Sequence, residues 1–260
     1  MVRIRQQLRT RIIGRELLYH SAIGSTNDEA KRMASAGANE GTVIIADEQT
    51  AGRGRLDRRW VAPVNTCVLA SVVFRPRLAP RQATRLTMLC SLAVVKAIEA
   101  VTGLVLGIKW PNDVVVMRDR AFKLAGILTE TALTSDQVLY AVVGIGINVN
   151  VDPAELGPVV TPATSLRAEL GRPVDRVDLL ASVLAEIDAL YAHLAGDLLP
   201  TQWAARLVTL GQTVRVAGRR QELEGIAEGV DADGALIVRD LAGNLHTISA
   251  GEVSQSALSA

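Results

Sequence analysis

Cysteine is scarce: Cys67 and Cys90 are the only two, both within apolar strings, and no Cys-x-x-Cys or Cys/His cluster exists. A zinc site and a disulfide framework are therefore excluded, and both residues read as core thiols of a reducing compartment. Aromatic residues make up only 3% of the chain, which leaves little for stacking on nucleic-acid bases. An excess of charge of either sign is also missing. With 28 basic and 27 acidic side chains, nothing global draws the protein onto nucleic acid or anionic lipid, so any anion site has to be local. The most apolar stretch, 86–108, is broken by Lys96 and Glu99, whereas a membrane span needs roughly 20 nearly uncharged residues. The basic N-terminus has no apolar core or small-residue cleavage site behind it, so it is no secretory signal, and the cytoplasm is the expected compartment. There is no Gly-Lys pair for a Walker-type phosphate loop, and His20, His193 and His246 lack the serine or cysteine context of a hydrolase triad.

What is present suits a folded globular chain: 260 residues, 49% hydrophobic and 21% charged, enough for one large domain and a small appended one. Loose alternation over 16–23 predicts a strand, followed by a helix capped at Ser25 or Thr26 and ending near Ala36. Further strands are predicted at 42–46, 67–74, 104–108, 114–117, 124–131 and 138–149, with a helix from Pro80 to about Gly103 and another from Asp175. The result is an α+β fold, a mixed and mostly antiparallel sheet with helices on one face. Beyond about residue 208 the texture changes to short strands between turn signals, which predicts a small β-barrel over 209–260 behind a larger domain over 1–208.

Four segments can carry chemistry. In the loop 49–60, Gly52 and Gly54 free the backbone while Arg53, Arg55, Arg58 and Arg59 bring four guanidinium groups together, an arrangement suited to wrapping a carboxylate or phosphate. The same composition also fits a solvated basic loop or a nucleic-acid contact. Lys109-Trp110-Pro111-Asn112-Asp113 and Lys123-Leu124-Ala125-Gly126-Ile127-Leu128 each place a lysine at a strand end, where it can hold an anion, and Asp113 can order a magnesium ion. In Gly144-Ile145-Gly146-Ile147-Asn148-Val149-Asn150 the glycines lie inside a strand, the mark of a close approach by a ligand or another backbone. A dinucleotide loop is excluded there because no third glycine follows and no helix opens.

In this order, together with Ser25-Thr26-Asn27 and Gln49, these segments resemble the signature of the biotin protein ligase family. The resemblance implies a seven-stranded mixed sheet of the class II synthetase type and an SH3-like C-terminal domain. It implies ATP with Mg2+ and the substrate biotin, and a lysine of a biotin carboxyl carrier protein as acceptor. By the same resemblance Ser25, Thr26, Asn27 and Gln49 meet the ring end of biotin, and Arg53, Gly54 and Arg55 order over it. Lys123 sits at the biotin carboxylate and the α-phosphate. Arg55, Lys109, Asn112 and Asp113 face the nucleotide, and Trp60 with Asn148 places the adenine. Lys123, Arg53 and Asp113 are the catalytic set, with Asp113 as base and magnesium ligand. A homodimer without membrane or nucleic-acid partners is implied. Only about fifteen residues precede the first strand, too few for a winged helix, so a ligase without repressor activity is expected. Asp57, Ala62 and Asn65 depart from the family pattern, and Asp57 is expected to pair with Arg58 or Arg59. The competing readings are a lipoate or octanoate ligase of the same fold and a nucleic-acid-binding regulator using the arginine loop.

Overall fold

The computed structural model describes residues 2–56, 58–156, 161–217 and 222–255. Seven strands form one sheet: β1 (Leu17–His20), β2 (Val43–Ala46), β3 (Cys67–Phe74), β4 (Gly107–Lys109), β5 (Asp113–Met117), β6 (Ala121–Leu133) and β7 (Val138–Asn148). Their order is β1-β2-β3-β7-β6-β5-β4. β1 and β2 run parallel and every other neighbouring pair antiparallel, so the sheet is mixed as expected.

β3 is apolar on both sides except for Ser71, and it is buried throughout, as a central strand covered on two faces has to be. One of its faces, Val68, Ala70, Val72 and Phe74, joins the main core with α3 (Thr84–Thr102) and α5 (Arg176–Tyr191). α3 is apolar nearly all round because it lies between the sheet and α5, and Gly103, at φ 75°, ends it in the left-handed conformation that glycine adopts without strain. Asp175 caps α5, its carboxylate accepting from the N–H groups of Val177 and Asp178.

Helices were expected on one face only, and the structure corrects this. α2 (Thr26–Ser35) lies on the opposite face, where Ala30 and Ala34 pack on Ile44, Val73 and Val142. Two alanines make too narrow a stripe to register as a buried helix face, yet their small side chains let the helix sit close to the strands. Ser25 occupies the N-cap position but its hydroxyl makes no cap hydrogen bond. β4 begins later than expected because the N–H groups of Leu104 and Leu106 are taken by the side chains of Thr102 and Glu99.

Three helices were not foreseen: α1 (Val2–Gln7), α4 (Leu166–Leu170) and α6 (Leu198–Ala204). α1 is tied to α5, and Asp188 of α5 accepts the N–H groups of Arg11, Ile12 and Ile13 just beyond α1. Burial raises the Asp188 carboxyl, but those N–H groups outweigh it and hold it below the usual carboxylate range. The native state then binds this proton more weakly than the unfolded chain, so the stabilisation is complete at neutral pH and fades as pH falls through the depressed value. Asp188→Ala is expected to cost about 1–3 kcal/mol at pH 7 in a denaturant melt, and the difference from wild type should shrink in acid.

The C-terminal strands β8 (Thr213–Ala217), β9 (Glu222–Val230), β10 (Leu236–Asp240), β11 (Leu245–Ile248) and β12 (Glu252–Gln255) form an antiparallel sheet in the order β11-β10-β9-β8-β12. A small SH3-like barrel was expected, but among the described residues the edge strands β11 and β12 do not pair and the barrel is not closed. Turn spacing predicts short antiparallel strands and carries no information about closure. No helix among the described residues is long and apolar enough to cross a membrane.

Candidate active site

The alternation of the strands assembles the site. Directly opposed residues share a face, and one row crosses the sheet as Lys109, Asp113, Gly126, Gly146 and Leu69. The next row carries Leu128, Gly144 and Ser71, and Asn148 stands opposite Cys67. This is the face turned away from α3 and α5. Its glycines make room for side chains laid across it. A Cβ on Gly146 would stand 2.6 Å from the Trp60 indole, one on Gly126 would stand 3.0 Å from the same ring, and one on Gly144 would stand 2.3 Å from Asn27 Oδ1. The close approach expected at Gly144 and Gly146 is thus made by the protein's own side chains, and Gly126 shares it. Gly146→Ala is expected to displace Trp60 and to destabilise the fold by about 1–3 kcal/mol, read as a lower Tm.

Beside Trp60 lies a cavity of about 450 Å³ whose walls include Arg53, Gly54, Arg55, Lys109, Asn112, Asp113, Lys123 and Asn148. Lys123 Nζ is 2.7 Å from Asp113 Oδ1 and 5.6 Å from the centre of the Trp60 ring system. Lys109 Nζ donates to Thr161 Oγ1 at 2.9 Å, and burial pushes its ammonium below the usual lysine range despite the nearby Asp113. Asn112 donates to the Ile127 carbonyl at 2.9 Å, and Asn148 donates to the Thr164 carbonyl at 3.0 Å. The Trp60 indole N–H is buried without an acceptor among the described residues.

The arginine loop folds over this cavity and is held from the C-terminal sheet. Arg55 donates to Asn112 Oδ1 at 2.8 Å and to the Gly251 carbonyl at 3.1 Å, and burial lowers its guanidinium from the ordinary arginine value. Arg58 pairs with Glu252. Gly251, Glu252 and Val253 thereby become walls of the cavity, a contribution from more than a hundred residues away that no local motif announces. Leu56 and Asn65 hold left-handed backbone, φ 54° and 63°, a conformation that asparagine tolerates better than most side chains. The expected pairing of Asp57 lies outside the described residues.

Ser25, Thr26, Asn27 and Gln49 do not line the cavity; Thr26, Asn27 and Gln49 belong to a hydrogen-bonded group beside it, at the start of α2, and Ser25 adjoins that group as the N-cap residue. Thr26 donates to Gln49 Oε1 from its N–H at 2.7 Å and from its hydroxyl at 2.9 Å, and Ser71 donates to Thr26 Oγ1 and Asn27 Oδ1. Asn27 donates to Glu130 at 2.9 Å, and Glu130 also pairs with Lys31 and Arg53. Burial raises the Glu130 carboxyl, but Asn27, Arg53 and Lys31 together hold it below the usual carboxylate range. Glu130 and Ser71 were missed in the sequence, where each reads as an ordinary strand residue; period-2 counting from Gly126 would have placed Glu130 on the site face, whereas the face of Ser71 follows only from its pairing with Gly144 across two strands. Arg53 therefore bridges the two halves of the site, touching the cavity and, through Glu130 and Asp28, the α2 group. Among the described residues no group of three His, Cys, Asp or Glu side chains could hold a metal unaided.

A model of the Biotin/lipoate A/B protein ligase family matches residues 19–148, and one of the Biotin protein ligase C terminal domain matches residues 209–255. The biotin–acetyl-CoA-carboxylase ligase of Mycobacterium tuberculosis is 37% identical over 262 residues, covering 95% of this chain and 94% of that protein. The bifunctional ligase/repressor BirA of Bacillus subtilis is 34% identical over 239 residues, 90% of this chain and 73% of that protein. Among solved structures, the biotin protein ligase from Aquifex aeolicus in complex with biotin and ATP superposes with a TM-score of 0.76 at 28% identity, covering 93% of this chain and 100% of that one. A seven-stranded sheet carrying a cation-lined cavity, matched in this way, defines the class as a ligase enzyme. Within that class the chain belongs to the Biotin/lipoate A/B protein ligase family.

Proposed function

We propose that the enzyme activates biotin with ATP to biotinyl-AMP and transfers the biotinyl group to a lysine of a biotin carboxyl carrier protein. The observation that carries this reading is the convergence of Arg53, Lys109 and Lys123, from a loop and two strands, on one cavity beside a polar group able to pair a buried ring. Biotin's ureido end carries two donors and one acceptor, and leaving each unpaired in a buried site would cost about 1–3 kcal/mol. Thr26, Gln49, Ser25 and Asn27 are assigned to it.

In the first step a carboxylate oxygen attacks the α-phosphorus, the bond to pyrophosphate breaks, and pyrophosphate leaves with the electron pair. The carboxylate is already ionised, so no base is needed; what is needed is positive charge where two anions meet. Lys123 and Arg53 supply it, and Lys109, Asn112 and Arg55 face the phosphates. Trp60, whose indole N–H lacks an acceptor among the described residues, and Asn148 hold the adenine. A magnesium ion fits here only in the manner of one carboxylate, Asp113, plus nucleotide phosphates, and Asp113 would have to release Lys123 to take it.

In the second step the lysine amine attacks the carbonyl carbon, the bond to AMP breaks with its electron pair, and the nitrogen's proton passes to Asp113. We read residues 1–208 as the catalytic unit and 209–260 as the unit that closes the nucleotide end. The enzyme is further read as a cytoplasmic homodimer without repressor activity and without nucleic-acid or membrane partners. The test is exchange of pyrophosphate into ATP driven by biotin, with lipoate as the control acid. Biotin should drive exchange and lipoate should not; equal exchange with lipoate would transfer the assignment to the lipoate branch.

A further inference from the structure

Next to the main cavity lies a second one, of about 150 Å³, between the N-terminal turn of α3, the start of β5 and the C-terminal sheet. The two share a wall made of Arg55, Trp110, Pro111, Asn112, Ile127 and Leu128. β5 begins opposite Gly126, so Leu128 and Thr129, further along β6, have no β5 residue beside them, and the space opens there. At its mouth stand Thr84 and Ser249, both exposed, and its floor is formed by the buried side chains of Met88, Trp110 and Trp203. Between mouth and shared wall the hydroxyls of Thr87 and Thr129 face each other at 2.7 Å. Arg55, hydrogen-bonded to Asn112, stands at the inner end.

We propose that this second cavity is the entry port for the acceptor lysine, admitting its side chain to the main cavity at the Arg55–Asn112 contact. The inference rests on the transfer step proposed above. Apolar walls suit the lysine's methylene stem, and the Thr87 and Thr129 hydroxyls can accept from its amine. No carboxylate is among the described residues that line the port, and its inner end carries a guanidinium. Burial and a like charge both disfavour an ammonium ion. The port therefore delivers the amine in its neutral, nucleophilic form after the ammonium sheds a proton to water at the mouth. A departing pyrophosphate is a poorer occupant, since Arg55 is the one cation among the described lining residues.

The experiment uses the full chain and two separate port-filling variants, Ser249→Trp at the mouth and Thr87→Leu in the wall. Three rates are measured for each: biotin-driven pyrophosphate exchange, transfer to a carrier protein, and trapping of the activated acid by hydroxylamine, which is small enough to bypass a narrowed port. Exchange and trapping should stay within about twofold of wild type while transfer falls by about tenfold or more. Normal exchange also certifies that the variant is folded. Transfer that stays normal in both variants would overturn the port, and so would exchange and transfer falling together, which would assign the cavity to the nucleotide. Absence of biotin-driven exchange in the wild-type protein would sink the activity itself, and the port with it.

Discussion

Lys123→Ala is expected to lower biotin-driven exchange of pyrophosphate into ATP by about 10²–10³-fold, the loss typical of removing one preorganised partner of developing charge. Lys123 opens β6, where its main chain is fixed twice: its N–H donates to the Pro162 carbonyl at 2.7 Å and its carbonyl accepts from the Thr164 N–H at 2.9 Å. Its ammonium is aimed by Asp113 on the neighbouring strand and by the Trp60 ring above. Truncation removes positive charge from the place where carboxylate and α-phosphate must meet, and it also strips Asp113 of its counterion. Arginine at this position should not restore activity fully, because a planar fork cannot occupy the slot of a compact ammonium between Asp113 and the ring. Exchange in Lys123→Ala within a few-fold of wild type would remove this residue from the first step.

Arg55→Gly should leave the first step running but let the activated acid escape. Arg55 ties the loop to Asn112 and to the Gly251 carbonyl, and hydrogen bonds from a charged donor are worth about 1.5–3 kcal/mol each. Losing both should shorten the retention of the intermediate by about tenfold or more. An acyl-adenylate released from shelter reacts with water or with any exposed amine. The expected readout is indiscriminate biotin labelling of bystander proteins by the variant, with biotin-dependent release of pyrophosphate continuing while exchange falls, because an intermediate that has left cannot react back. Equal bystander labelling by wild type and variant at equal activity would refute the lid role.

Much of this was legible in the sequence because the chemistry is carried by glycines and cations in short runs at strand ends. Gly144 and Gly146 announced a crowded strand face, although the crowding comes from Asn27 and Trp60. The seven strands were readable from β-branched runs such as 67–74, whose bounds agree with β3. What stayed hidden depends on contacts between distant segments. Gly251 and Glu252 meet the arginine loop only because two sheets abut, and Glu130 gathers Asn27, Lys31 and Arg53 from two other elements. The placement of α2 was hidden for a different reason: the signal is two alanines, and their contribution is closeness more than buried area. Closure of the C-terminal sheet has no counterpart in turn spacing at all.

The central claim, that one cleft joins an organic acid to the α-phosphorus of the nucleotide, is tested most directly by following oxygen. Biotin labelled with heavy oxygen in its carboxylate is incubated with ATP, the enzyme and a carrier protein, and the products are separated and weighed by mass spectrometry. The label departing from the acid is expected in AMP. Label found in pyrophosphate, or in inorganic phosphate with unlabelled AMP, would contradict it.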